Sequence, residues 1–205
     1  FNFNFYFYRG DIVQVERIVV GSMEVNCYLV FDETTQEAIF IDSGAEADRI
    51  LGLLDAKELT VKYVVNTHGH VDHITANQQV LAATGADLLI HKQDADFLTE
   101  PELNLSAHLG GEEISSPPAD RLVQEGELIE TEGFSLKVIH TPGHTPGGIC
   151  LQGTENLFTG DTLFAMGIGR TDFPQSSTQE LQSSLDKLME ITGDYKVHPG
   201  HGPTS

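Results

Sequence analysis

Basic residues are scarce in this chain. Eleven Lys and Arg stand against 31 Asp and Glu, a formal net charge of −20 over 205 residues. Such a surface repels a polyanion at long range, and the few cations are scattered without a basic patch. No nucleic-acid partner is expected. The acidity reads as a solvated surface, part of which bound divalent cations would offset. Cysteine is scarcer still. Cys27 and Cys150 cannot build a disulfide framework in a chain of this length. Both sit in apolar, strand-like runs, Asn26 to Val30 and Gly148 to Leu151, the setting of buried free thiols in a reducing compartment. A cytoplasmic location is expected. No apolar run approaches the roughly 20 residues that span a bilayer, so no membrane partner is expected either.

The segment Phe1 to Tyr8 alternates Phe with Asn and then Phe with Tyr. It lacks the basic start and small-residue cleavage site of a signal peptide, and its period of two suits an edge strand. Residues 1–11 are set apart as an N-terminal aromatic extension. The remainder shows no short repeat and no dividing linker. Residues 12–205 are expected to form one domain with a sizeable core.

Residues 11–20 read as a strand, and 25–31 and 37–42 as an antiparallel pair joined by the turn cluster Asp32 to Gln36. Ala47, Ile50, Leu51 and Leu54 recur at helical spacing. Val61 to Asn66 is a short apolar strand, Ile74 to Thr84 a helix stopped by Gly85, and Leu88 to His91 another strand. Residues 92–120 mix short helical pieces with a loop that shapes the pocket. Residues 127–140 form a hairpin about Glu132-Gly133, with strands after it at 148–152 and 156–159. Ser177-Thr178-Gln179-Glu180 is a capping box opening a helix with Leu181, Leu185 and Leu188 inward, ended near Gly193. Tyr195 to His198 is a last strand. The alternation of strands and helices gives an α/β (α+β) domain with a large mixed sheet.

The informative segment is Thr67-His68-Gly69-His70-Val71-Asp72-His73. It comes directly after a strand. Continued strand geometry puts His68 and His70 on one side, able to share one metal. Asp72 and His73, at the turn into the next helix, can reach a second. Neutral imidazole and carboxylate suit zinc, iron or manganese better than calcium. Two metals need further ligands. His144 lies in Thr141-Pro142-Gly143-His144-Thr145-Pro146-Gly147, Asp161 in Gly160-Asp161-Thr162, and His201 in Pro199-Gly200-His201-Gly202. Each is on a loop at a strand end, where rigid scaffolds carry chemistry. His91 and His108 lie outside any such motif. His140 and His198 are near enough to a candidate ligand for one of them to orient it.

Taken with Ile41-Asp42-Ser43-Gly44, Gly160 to Phe164 and Gly167 to Pro174, these motifs resemble the metallo-β-lactamase fold superfamily over nearly the whole chain, from about residue 12 to 203. They are most similar to its small glyoxalase II-like hydrolases. The resemblance implies a four-layer αβ/βα sandwich with two divalent metal ions at one edge of the sheets, zinc first and iron or manganese also compatible. It assigns His68, His70 and His144 to one metal, Asp72, His73 and His201 to the other, and Asp161 to both. Asp72 and Asp161 would thereby hold the hydroxide that serves as nucleophile. Asp42 would support the site or order the loop after its strand. Arg170 is a candidate anion contact, set against a structural pairing with Asp172.

The implied reaction is hydrolysis of a small-molecule thioester, S-lactoylglutathione or a related acyl-thiol, by a monomer or small homo-oligomer. Glyoxalase II proper carries a C-terminal helical region, whereas this chain stops four residues after His201. A true β-lactamase is disfavoured by Asp161, which such enzymes replace or do not use as a bridge. A lactonase or other ester hydrolase of the same fold is a further alternative. The rival from another enzyme class is a persulfide dioxygenase with one iron on the equivalents of His68, His144 and Asp161. It generally lacks a Pro-Gly-His-Gly ending, so His201 favours the hydrolase. A non-catalytic metal module would close its site with four protein ligands, whereas seven ligands for two metals leave positions open.

Overall fold

The computed structural model describes residues 13–205. The aromatic segment 1–8 and the first part of the expected strand 11–20 lie outside the described residues. The first sheet is mixed and has six strands: β1 (Gln14–Val20), β2 (Val25–Phe31), β3 (Glu37–Ile41), β4 (Thr60–Val65), β5 (Asp87–His91) and β6 (Arg121–Val123), hydrogen-bonded in that order. The first three run antiparallel, and β3 to β6 run parallel. Helix α1 (Ala47–Lys57) links β3 to β4, while α2 (Val71–Ile74) and α3 (Asn77–Thr84) link β4 to β5.

The second sheet holds β7 (Leu128–Glu130), β8 (Ser135–His140), β9 (Ile149–Gln152), β10 (Asn156–Gly160) and β13 (Lys196–Pro199), in the order β13-β10-β9-β8-β7. A small hairpin of β11 (Leu163–Phe164) and β12 (Gly167–Ile168) precedes helix α4 (Thr178–Met189).

Alternation of side chains along the strands builds the layers. On β2, Cys27, Leu29 and Phe31 pack towards Ile50, Leu54 and Val80 of α1 and α3, while Tyr28 and Val30 face the other way. That inner face, with Ile39, Ile41, Val65 and Leu89, meets Ile129, Leu136, Val138, Ile149, Leu151 and Phe158 of the second sheet. Ile139, Cys150 and Leu157 point outward beneath Leu188 of α4. The result is the four-layer αβ/βα sandwich, with an apolar slab between the sheets and a helical layer on each outer face. Both cysteines are buried and unpaired, and burial pushes the thiol of Cys27 up to about 12 and that of Cys150 up to about 11. Among the described residues no helix is long and apolar enough to cross a membrane.

The expected helix over 74–84 is broken. Helix α2 closes a single turn around Asp72 and His73, and the chain restarts helically at Asn77 after Thr75 and Ala76. Asn77 is fully buried and bonded to Asn66 and Ser116, so the second piece is anchored by side chains rather than continued by backbone. Gly85 does stop it, its N–H donating to Leu81. In α4 half of the expected capping box forms: Ser177 Oγ accepts from the Glu180 N–H at 3.2 Å, while the Ser177 N–H donates to Gly143 O at 2.7 Å rather than to the Glu180 side chain. Leu181 and Leu188 are buried, whereas Leu185 is only half-buried and Ser184 takes the intervening inner position. Strands β6, β11 and β12 had no sequence signal, being two or three residues long.

The slab between the sheets should set stability. Leu151→Ala is expected to cost about 2–5 kcal/mol, read as a lower urea midpoint with an unchanged slope. An unchanged midpoint would mean that the two sheets do not depend on that contact.

Candidate metal centre

The candidate residues come from five strand ends. Asp42 follows β3, residues 66–73 follow β4, His144 lies in the β8–β9 loop, Asp161 follows β10 and His201 follows β13. Backbone bonds draw these loops together. The Ile149 N–H donates to Thr67 O at 2.9 Å, the Gly200 N–H to Gly160 O at 2.7 Å, and the Asn26 N–H to Gly200 O at 2.7 Å. Asn26 Nδ2 also donates to Pro199 O and Gly202 O, each at 2.8 Å. Gly200 is required by close approach, because a Cβ there would overlap the Asp161 carboxylate and lie 2.9 Å from His73 Cε1.

All seven candidates meet. Ligand-type atoms of His68, His70 and His144 lie within 4.8 Å of one another, and so do those of Asp72, His73 and His201. A third group, His68, His73 and Asp161, joins the first two. Asp161 stands between them: Oδ1 is 3.5 Å from His73 Nε2, while Oδ2 is 3.6 Å from both His144 Nε2 and His201 Nε2. Asp72 Oδ2 lies 3.2 Å from His201 Nε2 and 3.7 Å from His73 Nε2.

Four of the five imidazoles are held by their outer nitrogen. His68 Nδ1 meets Thr67 Oγ1 at 3.2 Å, His73 Nδ1 meets Asp42 Oδ2 at 2.9 Å, His144 Nδ1 meets Arg170 O at 2.9 Å and His201 Nδ1 meets Met23 O at 3.0 Å. Their Nε2 atoms therefore face inward. His70 is turned the other way and presents Nδ1, 2.9 Å from His144 Nε2. Phe97 and Phe173 flank its ring.

Burial makes this cluster electrostatically tense. It pushes His68 well below its ordinary value, helped by the neighbouring imidazoles, and takes His70 down to about 3. Burial acts on His73 in the same sense, yet Asp72, Asp42 and Asp161 together hold it up at about 10. Burial would raise Asp72, but His73 and His201 keep it well below the usual carboxylate range. The surroundings thus favour positive charge between the carboxylates and neutral imidazole elsewhere.

Buried polar atoms normally have partners. Among the described residues five buried side-chain atoms have no hydrogen-bond partner, and while Asp32 Oδ2 and His198 Nδ1 lie elsewhere, His68 Nε2, His73 Nε2 and Asp161 Oδ1 belong to one group of mutually close ligand atoms. A cation answers both this and the local field, and neutral imidazole with carboxylate is a donor set that fits zinc, iron or manganese.

Asp42 adopts φ 59°, a conformation unfavourable for most residues but more accessible to Asp. It is fixed there by its side chain, which accepts from the Thr67 N–H at 2.7 Å and Thr67 Oγ1 at 2.8 Å while orienting His73. Arg170 pairs with Asp172 at the surface. Nε and Nη2 bond Asp172 at 2.9 and 2.7 Å, with the guanidinium over Phe173. Its structural pairing is the one formed, and its carbonyl holds His144.

The remaining histidines stand apart. His198 is wedged against Phe158 and Tyr28 and bonds Asn156. His91 stacks on His140 with centroids 4.0 Å apart, and His140 Nε2 reaches Pro146 O at 2.9 Å. His140 thus acts on the backbone of the His144 loop rather than on a ligand. His108 is exposed beside Glu102.

Sequence reasoning missed Asp94. It is fully buried, and burial pushes it up to about 6 although Thr145, Gly147 and Gly69 donate to it. A signal existed: Asp94, Phe97 and Leu98 fall at i, i+3, i+4, so the carboxylate shares the buried face while Asp96 is exposed.

Comparison with known proteins agrees with this geometry. The sequence model of the Metallo-beta-lactamase superfamily matches residues 20–201. Hydroxyacylglutathione hydrolase GloC of Haemophilus influenzae is 37% identical over 194 residues, 93% of this chain and 91% of that protein. Among solved structures, BLEG-1 B3 metallo-beta-lactamase superposes with a TM-score of 0.89 at 31% identity, covering 94% of this chain and 93% of the other. A protein crystallised in a di-iron-bound form superposes at 0.81 with 32% identity, covering 93% and 94%.

Asp42→Asn should leave the far-UV circular dichroism unchanged and weaken cation binding about 10–100-fold, the usual effect of losing a carboxylate that orients a ligand histidine. Isothermal titration of the metal-depleted protein measures it, and an unchanged affinity would reduce Asp42 to a loop anchor.

Proposed function

Since the chain belongs to the metallo-β-lactamase superfamily and is a metallo-hydrolase of that superfamily, we propose that it hydrolyses a small acyl thioester, S-lactoylglutathione or a related acyl-thiol, at a two-cation centre. The observation that carries this is the set of buried, unpartnered atoms on His68, His73 and Asp161. His68, His70 and His144 would hold one cation and Asp72, His73 and His201 the other, with Asp161 shared. Such cations supply Lewis acidity and bring the pKa of water near neutrality.

The residues themselves decide the rest. With Nδ1 tied to Asp42 and to the Arg170 and Met23 carbonyls, His73, His144 and His201 are held in one tautomer. None of the three is spare to protonate a leaving group. A leaving group must then depart as an anion, which suits a thiolate, whose conjugate acid has a pKa of about 8.5. An alkoxide would need a proton donor. Phe97 and Phe173 pack their rings beside that of His70. GloC supports the hydroxyacylglutathione reading by its name and its 37% identity. The likeness to BLEG-1 makes a β-lactam the natural competitor substrate.

The test is hydrolysis of S-lactoylglutathione and other acyl thioesters beside lactones, a β-lactam panel and oxygen uptake with glutathione persulfide, with elemental analysis of protein purified without added metal. Thioesters should turn over fastest and chelation should abolish turnover. His70→Ala should lower both metal content and turnover, the latter by at least about 10²-fold, the scale of losing a few kcal/mol of charge stabilisation. Preferred β-lactam turnover, or oxygen consumption with one iron per chain, would refute the proposal.

A further inference from the structure

We infer that Asp94 is the positioning residue for one half of the centre, the group His68, His70 and His144, and that it acts separately from Asp42; this rests on the two-cation reading above. Asp94 lies in the 3-10 turn Lys92–Leu98 after β5, on an element that carries no candidate ligand. Its Oδ2 accepts from the Gly69 N–H at 3.1 Å and from Thr145 Oγ1 at 2.7 Å, and its Oδ1 accepts from the Gly147 N–H at 2.5 Å. Gly69 sits between His68 and His70, and Thr145 is next to His144. One carboxylate therefore ties together two loops that present three imidazoles to a common point. The approach is close: a Cβ on Gly147 would lie 2.6 Å from both Asp94 N and Oδ1.

A carboxylate buried without a cationic partner is unfavourable unless hydrogen bonds compensate it. An apolar residue could fill the space at lower cost, but it could not hold both loops. His70 Nδ1 stands 2.9 Å from His144 Nε2, close enough to donate to it because Arg170 O holds the His144 proton on Nδ1. The clamp keeps the two loops at that separation. Asp42 makes its bonds elsewhere, to Thr67 and His73. Asp42 thus serves His73 and, through Thr67, His68, whereas Asp94 bonds only the loops of His68, His70 and His144, so substitution at Asp94 should spare the second group.

The test titrates the metal-depleted full chain with cobalt(II), following the d–d absorption and the heat of binding for the wild type, Asp94→Asn, Thr145→Val and His70→Ala. The wild type should take two equivalents. His70→Ala identifies the equivalent held by the first group by losing it. Asp94→Asn should weaken that same equivalent about 10–100-fold, the range for residues behind a ligand, with an altered cobalt spectrum and the second equivalent unchanged. Thr145→Val, which removes one donor, should weaken it less and in the same sense, and it carries the test alone if Asp94→Asn fails to fold. The inference is overturned if His70→Ala loses one equivalent while Thr145→Val and any folded Asp94→Asn bind both as the wild type does. Equal weakening of both equivalents would also overturn it, making Asp94 a general structural residue. If His70→Ala keeps both equivalents, the two-cation reading itself falls and this inference falls with it.

Discussion

Imidazoles and carboxylates crowded at the rim of two apolar sheets create an electrostatic demand that the surrounding structure is built to hold. Burial disfavours protonation of His68 and His70, while the carboxylates around His73 favour positive charge there. Within this field, nitrogen and oxygen atoms of His68, His73 and Asp161 lie in the interior without hydrogen-bond partners. A divalent cation resolves the conflict, because it takes lone pairs from neutral imidazole and is balanced by carboxylate.

Holding the cluster requires stiff surroundings. Every candidate ligand sits on or just after a loop at a strand end, and the strands are locked by apolar packing on both faces. β2 shows how this reaches the site: its side chains serve both core layers, and Asn26 and Tyr28 on the same strand bond the Pro199 carbonyl that leads to His201. The outward nitrogens of His73, His144 and His201 are fixed by Asp42 and by the Arg170 and Met23 carbonyls, and that of His68 by the Thr67 hydroxyl. Orientation is therefore set by the fold before any ligand arrives, which is the condition for a precise centre.

The superfamily hosts many reactions on one scaffold, so the fold alone does not name the substrate. The thioester in our proposal rests instead on what the histidines are free to do. Histidines tied by their second nitrogen position and donate lone pairs. They do not deliver protons to a poor leaving group. This is the physical reason for preferring an acyl-thiol to an ordinary ester.

The side chains that the fold brings into one cluster were legible in the sequence as candidates because they lie in short Gly- and Pro-bounded motifs after apolar strands, a local signal. The strands and helices with strong periodicity were legible for the same reason, among them β2, α1 and α4. Local signals could not show that the helix over 74–84 would break, since the break is anchored by Asn77 bonding Asn66 and Ser116. The helical spacing of Asp94, Phe97 and Leu98 puts Asp94 on a buried face, but only the fold shows that this face lies between the loops of Gly69 and Thr145, and that Arg170 forms its pairing with Asp172. Sequence alone determined which side chains could bind a cation. Tertiary packing decided which nitrogen each imidazole turns inward and which carboxylates hold it there, because those choices depend on partners far away along the chain.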